Sequence, residues 1–326
     1  TDDGPAIQNA INEAASSAAS GGDGGTVMLP KGTMITNQQI IVRNKVRLVG
    51  QSARSSVIKA GASFPTNTPI VRLGDGTSIV FNTRVEHLTI DANSVASSTG
   101  VYSNEAQEQS GVFNSTIENY TDVGIDFASG ASIVNVESVE IHPPDNAVTI
   151  AGIRLTSVAG ENFIKYVTID AADGGFGFHG ILVTGTDVNL NAIHVEDHTN
   201  GVTFDGGASG LASSIFGHST ATNTVAINSD SGGGIVLSGI SKNEGTNAVL
   251  DSFTGRTLTG SLISFYMLGN QGATGIGKQF FSSDTSAGAW WRLLNDVVLD
   301  GKVGFATVTP FGQVAIEANQ STVGSN

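Results

Sequence analysis

Seven short segments of the sequence share one pattern, and the first five end in a carboxylate or imidazole able to move protons or hold cations. They are Leu88-Thr89-Ile90-Asp91, Ser115-Thr116-Ile117-Glu118, Val139-Glu140-Ile141-His142, Val167-Thr168-Ile169-Asp170, Ile193-His194-Val195-Glu196, Ser214-Ile215-Phe216-Gly217 and Ser238-Gly239-Ile240-Ser241. Side chains alternate along a strand, so inward Leu88 and Ile90 leave Thr89 and Asp91 pointing out. Applied to every segment, this gives two outward columns: Thr89, Thr116, Glu140, Thr168, His194, and Asp91, Glu118, His142, Asp170, Glu196. Stacked like charges are destabilising unless something offsets them, which makes the columns candidates for a cation site or for acid/base catalysis. A carboxyl group beside another has its pKa raised and suits a general acid. On adjacent rungs, Asp170 and Glu196 approximate the ~5 Å separation of a retaining glycosidase, while Glu140 and Glu196 lie at or beyond the long end of the inverting range. Spacing leaves both open, and His142 and His194 are placed to position or tune the carboxylates. Asp91 and Glu118, both hard oxygen donors, are candidate metal ligands, with Ca²⁺ the ion they suit.

The spacing of these segments requires a repeating scaffold. Their third residues fall at 90, 117, 141, 169, 195, 216 and 240, one variable rung of 21 to 28 residues each time. A second strand recurs in each interval (Gly100-Val101, Gly124-Ile125, Ala147-Val148, Gly180-Ile181, Gly201-Val202), and a third lies upstream of the first (Ile133-Val134, Phe163-Ile164, Val188, Leu211). Three short strands per rung with Gly and Asn corners predict an all-β fold, a parallel β-helix. A propeller blade needs four strands in about 40 or more residues. Ahead of the rungs, Ala6, Ile7, Ala10, Ile11, Ala14, Ala15 and Ala18 form a helical stripe, so residues from about 3 to 20 are predicted helical, with Asp3 as the N-cap and Gly21-Gly22 as the stop. From about Thr257 the rhythm fails and the large aromatics gather. Residues 1–256 therefore read as the solenoid with its capping helix, and 257–326 as a β-rich cap or assembly region.

Composition narrows the chemistry. Across 326 residues, 15 Lys and Arg face 29 Asp and Glu for a net charge of −14, which disfavours nucleic acid and anionic membrane surfaces. With no Cys, thiolate zinc sites, disulfides and cysteine nucleophiles are excluded, and carboxylate, imidazole and hydroxyl chemistry remain. No apolar run approaches the roughly 20 residues of a membrane span. The opening at Thr1, with neither an initiator Met nor a leader pattern, reads as a mature or trimmed chain. An acidic groove with few cations matches a neutral or aminated glycan better than a polyanion, unless calcium intervenes. Asp173, His179, Asp197 and His198 follow the strands on turns that would rim the columns and contact substrate, and Tyr166 could stack on a sugar ring.

The blocks Thr1-Asp2-Asp3-Gly4-Pro5-Ala6-Ile7-Gln8-Asn9-Ala10-Ile11, Gly24-Gly25-Thr26-Val27-Met28-Leu29-Pro30-Lys31-Gly32-Thr33 and Val46-Arg47-Leu48-Val49-Gly50-Gln51 resemble the opening of the pectate-lyase-like right-handed β-helix superfamily, which includes phage tailspikes, polygalacturonases and secreted depolymerases. The resemblance implies a right-handed coil whose first rung is plugged by the helix. It also implies an extracellular or virion-surface protein that acts on polysaccharide, with assembly as a homotrimer as in the tailspikes. Gly177-Phe178-His179-Gly180 is similar to the Gly-His-Gly of polygalacturonases, but their Arg-Ile-Lys motif is absent. The leading expectation is thus a glycoside hydrolase that uses paired carboxylates and requires no cofactor. The alternatives are a Ca²⁺-dependent polysaccharide lyase and a non-catalytic adhesin or structural trimer.

Overall fold

A computed structural model describes residues 1–19, 23–144, 149–156, 158–171, 177–218, 223–227, 235–243 and 250–251. The chain is an all-β parallel solenoid with one N-terminal helix, as its repeats predict. Among the described residues every strand pairing is parallel, and the strands form a 14-stranded and a 9-stranded sheet. In the early rungs the larger sheet is made of separate short strands, such as Gly111–Phe113 and Thr116–Glu118. From Asn162–Asp170 onward these fuse into single bent strands, followed by Val188–Glu196, Gly210–His218 and Ile235–Asn243. The bend is the same in each rung: one residue in the left-handed region, successively His87, Asn114, Ser138, Tyr166, Ala192 and Ser214, with φ between 47° and 55°. Only two of these six, His87 and Asn114, are among the residue types that favour this conformation, so packing of the rungs on either side holds the corner for the rest.

The core is a set of aliphatic stacks. In the larger sheet Ile58, Ile90, Ile117, Ile141, Ile169 and Val195 lie in register rung on rung, all fully buried. Across the coil, Val71, Val101, Ile125, Ile153, Ile181, Val202 and Val225 do the same. Each such side chain contributes about 1.5–3 kcal/mol through burial, and the identical register repeated in every rung leaves the alternate residues outward.

The register corrects the sequence alignment at three places: the second strand of the rung after Ile141 is Ala151–Leu155, whereas Ala147-Val148 lies outside the described residues, Ile240 pairs with Ile215 instead of Phe216, and the segment around Phe216 is itself displaced. Val195 pairs with Gly217 and His194 with Phe216, so the segment around Phe216 is shifted by one residue from the expected alignment. A one-residue slip moves a side chain to the other face: Phe216 points outward and His218, beyond the aligned segment, joins the column after Glu196.

The helix, Gly4–Ala19, plugs the open first rung as expected. Ile7 and Ile11 enter the core, and Gln8 brackets the edge strand Ile40–Val42, accepting from Ile41 N (2.8 Å) and donating to Ile41 O (3.0 Å). An uncovered strand edge is a template for further pairing, and Gln8 fills part of it. The N-cap differs from expectation. The side chain of Asp2 accepts from Gly4 N (3.0 Å), while the carboxylate of Asp3 accepts from Ile35 N (2.9 Å) and ties the helix to the strand Gly32–Thr36. Gly21-Gly22 and the expected C-terminal region 257–326 lie outside the described residues.

Close stacking of the smaller sheet depends on a line of glycines. A Cβ on Gly152 would lie 2.6 Å from Ile169 Cγ2 and 2.8 Å from the carbonyl oxygen of Gly180, and Gly124 is similarly pressed against Gly152. Gly152→Ala should therefore lower the unfolding free energy by about 1–3 kcal/mol, the usual cost of overpacking. Denaturant melts check this, and an unchanged midpoint and slope would contradict it.

Candidate active-site face

The outward columns exist as the sequence predicts, but their two ends differ in chemistry. At the N-terminal end the column begins with Lys59, in register with Asp91. Asp91 is only 4% exposed, and its carboxylate is enclosed by Lys59 Nζ (2.5 Å), Asn119 Nδ2 (2.9 Å) and the backbone N–H of Asn93 (2.8 Å). Glu118, in register on the next rung, is half-buried, and burial pushes its carboxyl group above the ordinary range. Asp91 adds to that rise, while His142 and Lys59 oppose it. The two proposed metal ligands thus share their surroundings with a lysine ammonium. Lys59 could have been found, because Val57-Ile58-Lys59 continues the repeat one rung earlier.

In the middle of the face, Glu140 accepts from exposed Arg54 (3.1 Å), a residue the sequence reading did not place there, and lies 3.9 Å from His142 Nε2. The C-terminal end holds the expected carboxylate pair. Asp170 and Glu196 are Cα partners on adjacent rungs, and Glu196 is in turn the partner of His218. Rungs of a parallel sheet lie about 4.8 Å apart. His218 Nδ1 hydrogen-bonds Glu196 Oε1, and His194 Nε2 lies 3.9 Å from Glu196 Oε2. Burial lowers the His194 pKa; Glu196 opposes that shift, His218 adds to it, and Asp170 opposes it. His194 also packs on Phe216, ring centroids 5.0 Å apart. Phe216 at 36% and Tyr166 at 59% exposure give this end two accessible aromatic faces, and Tyr166 occupies the left-handed corner four residues before Asp170.

The expected rim residues divide differently. Asp197 occupies a left-handed corner, φ 53°, immediately after Glu196. His179 and His198 lie on the smaller sheet and are buried, so they do not rim the face. His179 Nδ1 pairs with Thr203 Oγ1 at 2.7 Å, and His198, fully buried, places Nδ1 2.5 Å from the carbonyl oxygen of Glu196. The register explains the difference: both imidazoles belong to strands of the smaller sheet, where His179 is in register with Ala151 and Asn200 and His198 with Gly177, away from the outward columns of the larger sheet. Asp173 lies outside the described residues.

A second polar groove, of 530 Å³, lies against the smaller sheet and is lined by Arg72, Tyr102, Asp122 and Asp126 among others. Arg154 holds Asp126 in a bidentate pair (3.0 and 2.7 Å), and the Arg72 guanidinium lies 5.1 Å from the Tyr102 ring centre. Burial raises the carboxyl pKa of Asp122, Arg154 opposes that shift, and Asp126 adds to it. The groove has no local signature in the sequence, because the pairing of Asp126 with Arg154 runs across rungs between residues 28 apart.

Comparison with known proteins follows from this architecture. The family model described as rhamnogalacturonase A/epimerase, pectate lyase-like, matches residues 1–251. The chain belongs to that family. No curated protein matches it in sequence. Among solved structures, this member of the rhamnogalacturonase A/epimerase family resembles the A-module of a mannuronan C-5 epimerase from Azotobacter vinelandii, with a TM-score of 0.62, 19% identity, and 83% of this chain and 72% of that one covered. It also resembles the tailspike of Escherichia coli bacteriophage HK620, solved with a pentasaccharide, with a TM-score of 0.57, 14% identity and 82% of this chain covered. This chain spans about half (54%) of that tailspike chain. The third is PfbA, a surface adhesin of Streptococcus pneumoniae, with a TM-score of 0.58, 13% identity, and 83% and 76% coverage. At these identities the family likeness establishes the fold. No helix among the described residues is long and apolar enough to cross a membrane.

The buried imidazoles make stability depend on pH. Burial lowers the His179 pKa to about 4, with His198 adding to the shift, and burial lowers His198 in the same direction. An unfolded His takes up its proton near pH 6.5, so stability should be level above that pH and fall as pH drops from about 6.5 to 4, by about 3 kcal/mol from His179 alone. The raised carboxyls of Glu118 and Asp122 act in the opposite sense, so the test is comparative. Denaturant melts between pH 7.5 and 4 should give a shallower loss in His179→Gln than in the parent protein, and an equal loss would contradict the assignment.

Proposed function

We propose that this protein binds polysaccharide along the outward face of its larger sheet and cleaves it as a retaining glycoside hydrolase. The observation that carries this reading is the in-register pair Asp170 and Glu196, on adjacent rungs and flanked by His218 and two exposed aromatics. A retaining mechanism needs two carboxyl groups about 5–5.5 Å apart, one to protonate the leaving oxygen and one to attack the anomeric carbon. Glu196 is the nucleophile, because the imidazole N–H of His218 orients it and supports its charge. Asp170 is the proton donor, and becomes the base that activates water for the second displacement. His194 borders the pair as a neutral imidazole, and Tyr166 and Phe216 offer planes against which sugar rings stack. Glu140, held by Arg54 and beside His142, lies farther along the face, where further sugar residues would be bound. This chemistry requires no cofactor.

Support for a glycan ligand comes from the neighbours: a tailspike solved with a pentasaccharide, an epimerase of mannuronan and a surface adhesin. The net charge of −14 favours a neutral or aminated glycan over a polyuronate. The reading places the protein outside the cell or on a virion, with trimeric assembly as in the tailspikes. A Ca²⁺-dependent lyase is the weaker reading, since Lys59 already neutralises Asp91.

Incubation with a panel of neutral, aminated and uronic polysaccharides should release new reducing ends without absorbance near 235 nm, and EDTA should not prevent it. Asp170→Asn and Glu196→Gln should each cut the rate by at least about 10²-fold, in the range of a lost acid/base group, while leaving the circular dichroism spectrum unchanged. Full activity in either variant would contradict the assignment. Unsaturated, EDTA-sensitive products would indicate the lyase, and binding without products the adhesin.

A further inference from the structure

We propose that His194, Glu196 and His218 form a binding site for a divalent transition-metal ion of the zinc type, and that occupancy of this site excludes glycan cleavage. One ligand atom from each of the three side chains lies within 4.8 Å of the others, the one such grouping among the described residues. The register explains how they meet. His194 and Glu196 are two residues apart on one strand and so share a face, and His218 is the cross-rung partner of Glu196. The His194 Nε2 atom is buried and without a hydrogen-bond partner, 3.9 Å from Glu196 Oε2. Buried polar atoms are normally satisfied, so this nitrogen is an available donor in the cluster.

Two imidazoles and one carboxylate form a borderline nitrogen/oxygen donor set, one seen at zinc sites with an open fourth position. Calcium and magnesium prefer six or more oxygen ligands, or several retained waters, and are poorly matched to it. Ligands bonded at 2.0–2.1 Å in a tetrahedron are about 3.3 Å apart. His194 would therefore draw in towards Glu196 while the direct contact between His218 and Glu196 opened to admit the ion. A metal ligand must be an unprotonated imidazole, so affinity should fall as pH is lowered.

Glu196 is also the nucleophile of the proposed hydrolase, and metal and substrate would compete for its carboxylate. Zinc would act as an inhibitor, reversed by a chelator. The site itself stands on geometry and donor chemistry. If glycans are not cleaved but zinc binds, the metal site survives; if glycans are cleaved and zinc does not bind, only the metal site falls.

The test is isothermal titration calorimetry of the untagged protein with zinc at pH 7.5, repeated at pH 5.5 and with calcium or magnesium in millimolar excess. One zinc ion per chain is expected, with weaker binding at pH 5.5 and no competition from calcium or magnesium. Contacts to a ligand's outer side alone are worth about 10–100-fold in metal affinity, so loss of a direct ligand in His194→Ala or His218→Ala should cost at least that much. Glu196→Gln, which preserves shape, should weaken binding as well, and His87→Ala, at an exposed imidazole in another rung, should not. Circular dichroism verifies that each variant is folded. Absence of zinc binding in the parent protein, or unchanged affinity in folded His194→Ala and His218→Ala, would overturn the proposal.

Discussion

The fixed rung-to-rung spacing of a parallel ladder, about 4.8 Å, is the constraint on which the rest of this structure depends. It stacks Ile58 through Val195 in one buried line and, with the same register, stacks Lys59, Asp91 and Glu118, and then Asp170 and Glu196, in an outward line. The hydrophobic register comes first in energy: slipping a strand such as Thr89–Asp91 by one residue would expose Ile90 and turn a polar neighbour inward. Chemistry on the face is therefore positioned by the core beneath it.

That constraint also creates a problem of charge, met differently along the ladder. At the N-terminal end Lys59 and two amide groups hold Asp91, in the middle Arg54 reaches Glu140, and at the C-terminal end imidazoles take over around Glu196. The lysine and arginine are permanent cations set against their carboxylates. Imidazoles near neutral pH can give or accept a proton and can bind a metal, so the end proposed to be reactive is the one where histidines replace permanent cations. The two exposed aromatics lie at this same end.

Much of this was legible in the sequence, because a solenoid repeats its own pattern. The three strands per rung, the helical plug and the outward placement of Asp170, Glu196, Glu140, His142 and His194 follow from period and alternation. Errors arose where an outward position holds an apolar residue: Phe216 resembled a core residue, the repeat was placed one residue early, and His218 was missed. His179 and His198 misled for the converse reason. Polar side chains next to a strand suggested a rim, but both lie within strands of the smaller sheet, where Thr203 and a backbone carbonyl satisfy one nitrogen of each. The Asp126 and Arg154 pair has no local signature, since its partners are a full rung apart.

If adjacent-rung spacing governs the chemistry, it also fixes the stereochemical outcome. The most direct measurement is proton NMR of the first sugar anomers released from a glycan the protein cleaves, recorded before mutarotation. Retained anomeric configuration is the result expected of Asp170 and Glu196 acting across one rung. Inverted configuration would require carboxyl groups separated by room for a water molecule, and would contradict the assignment of this pair.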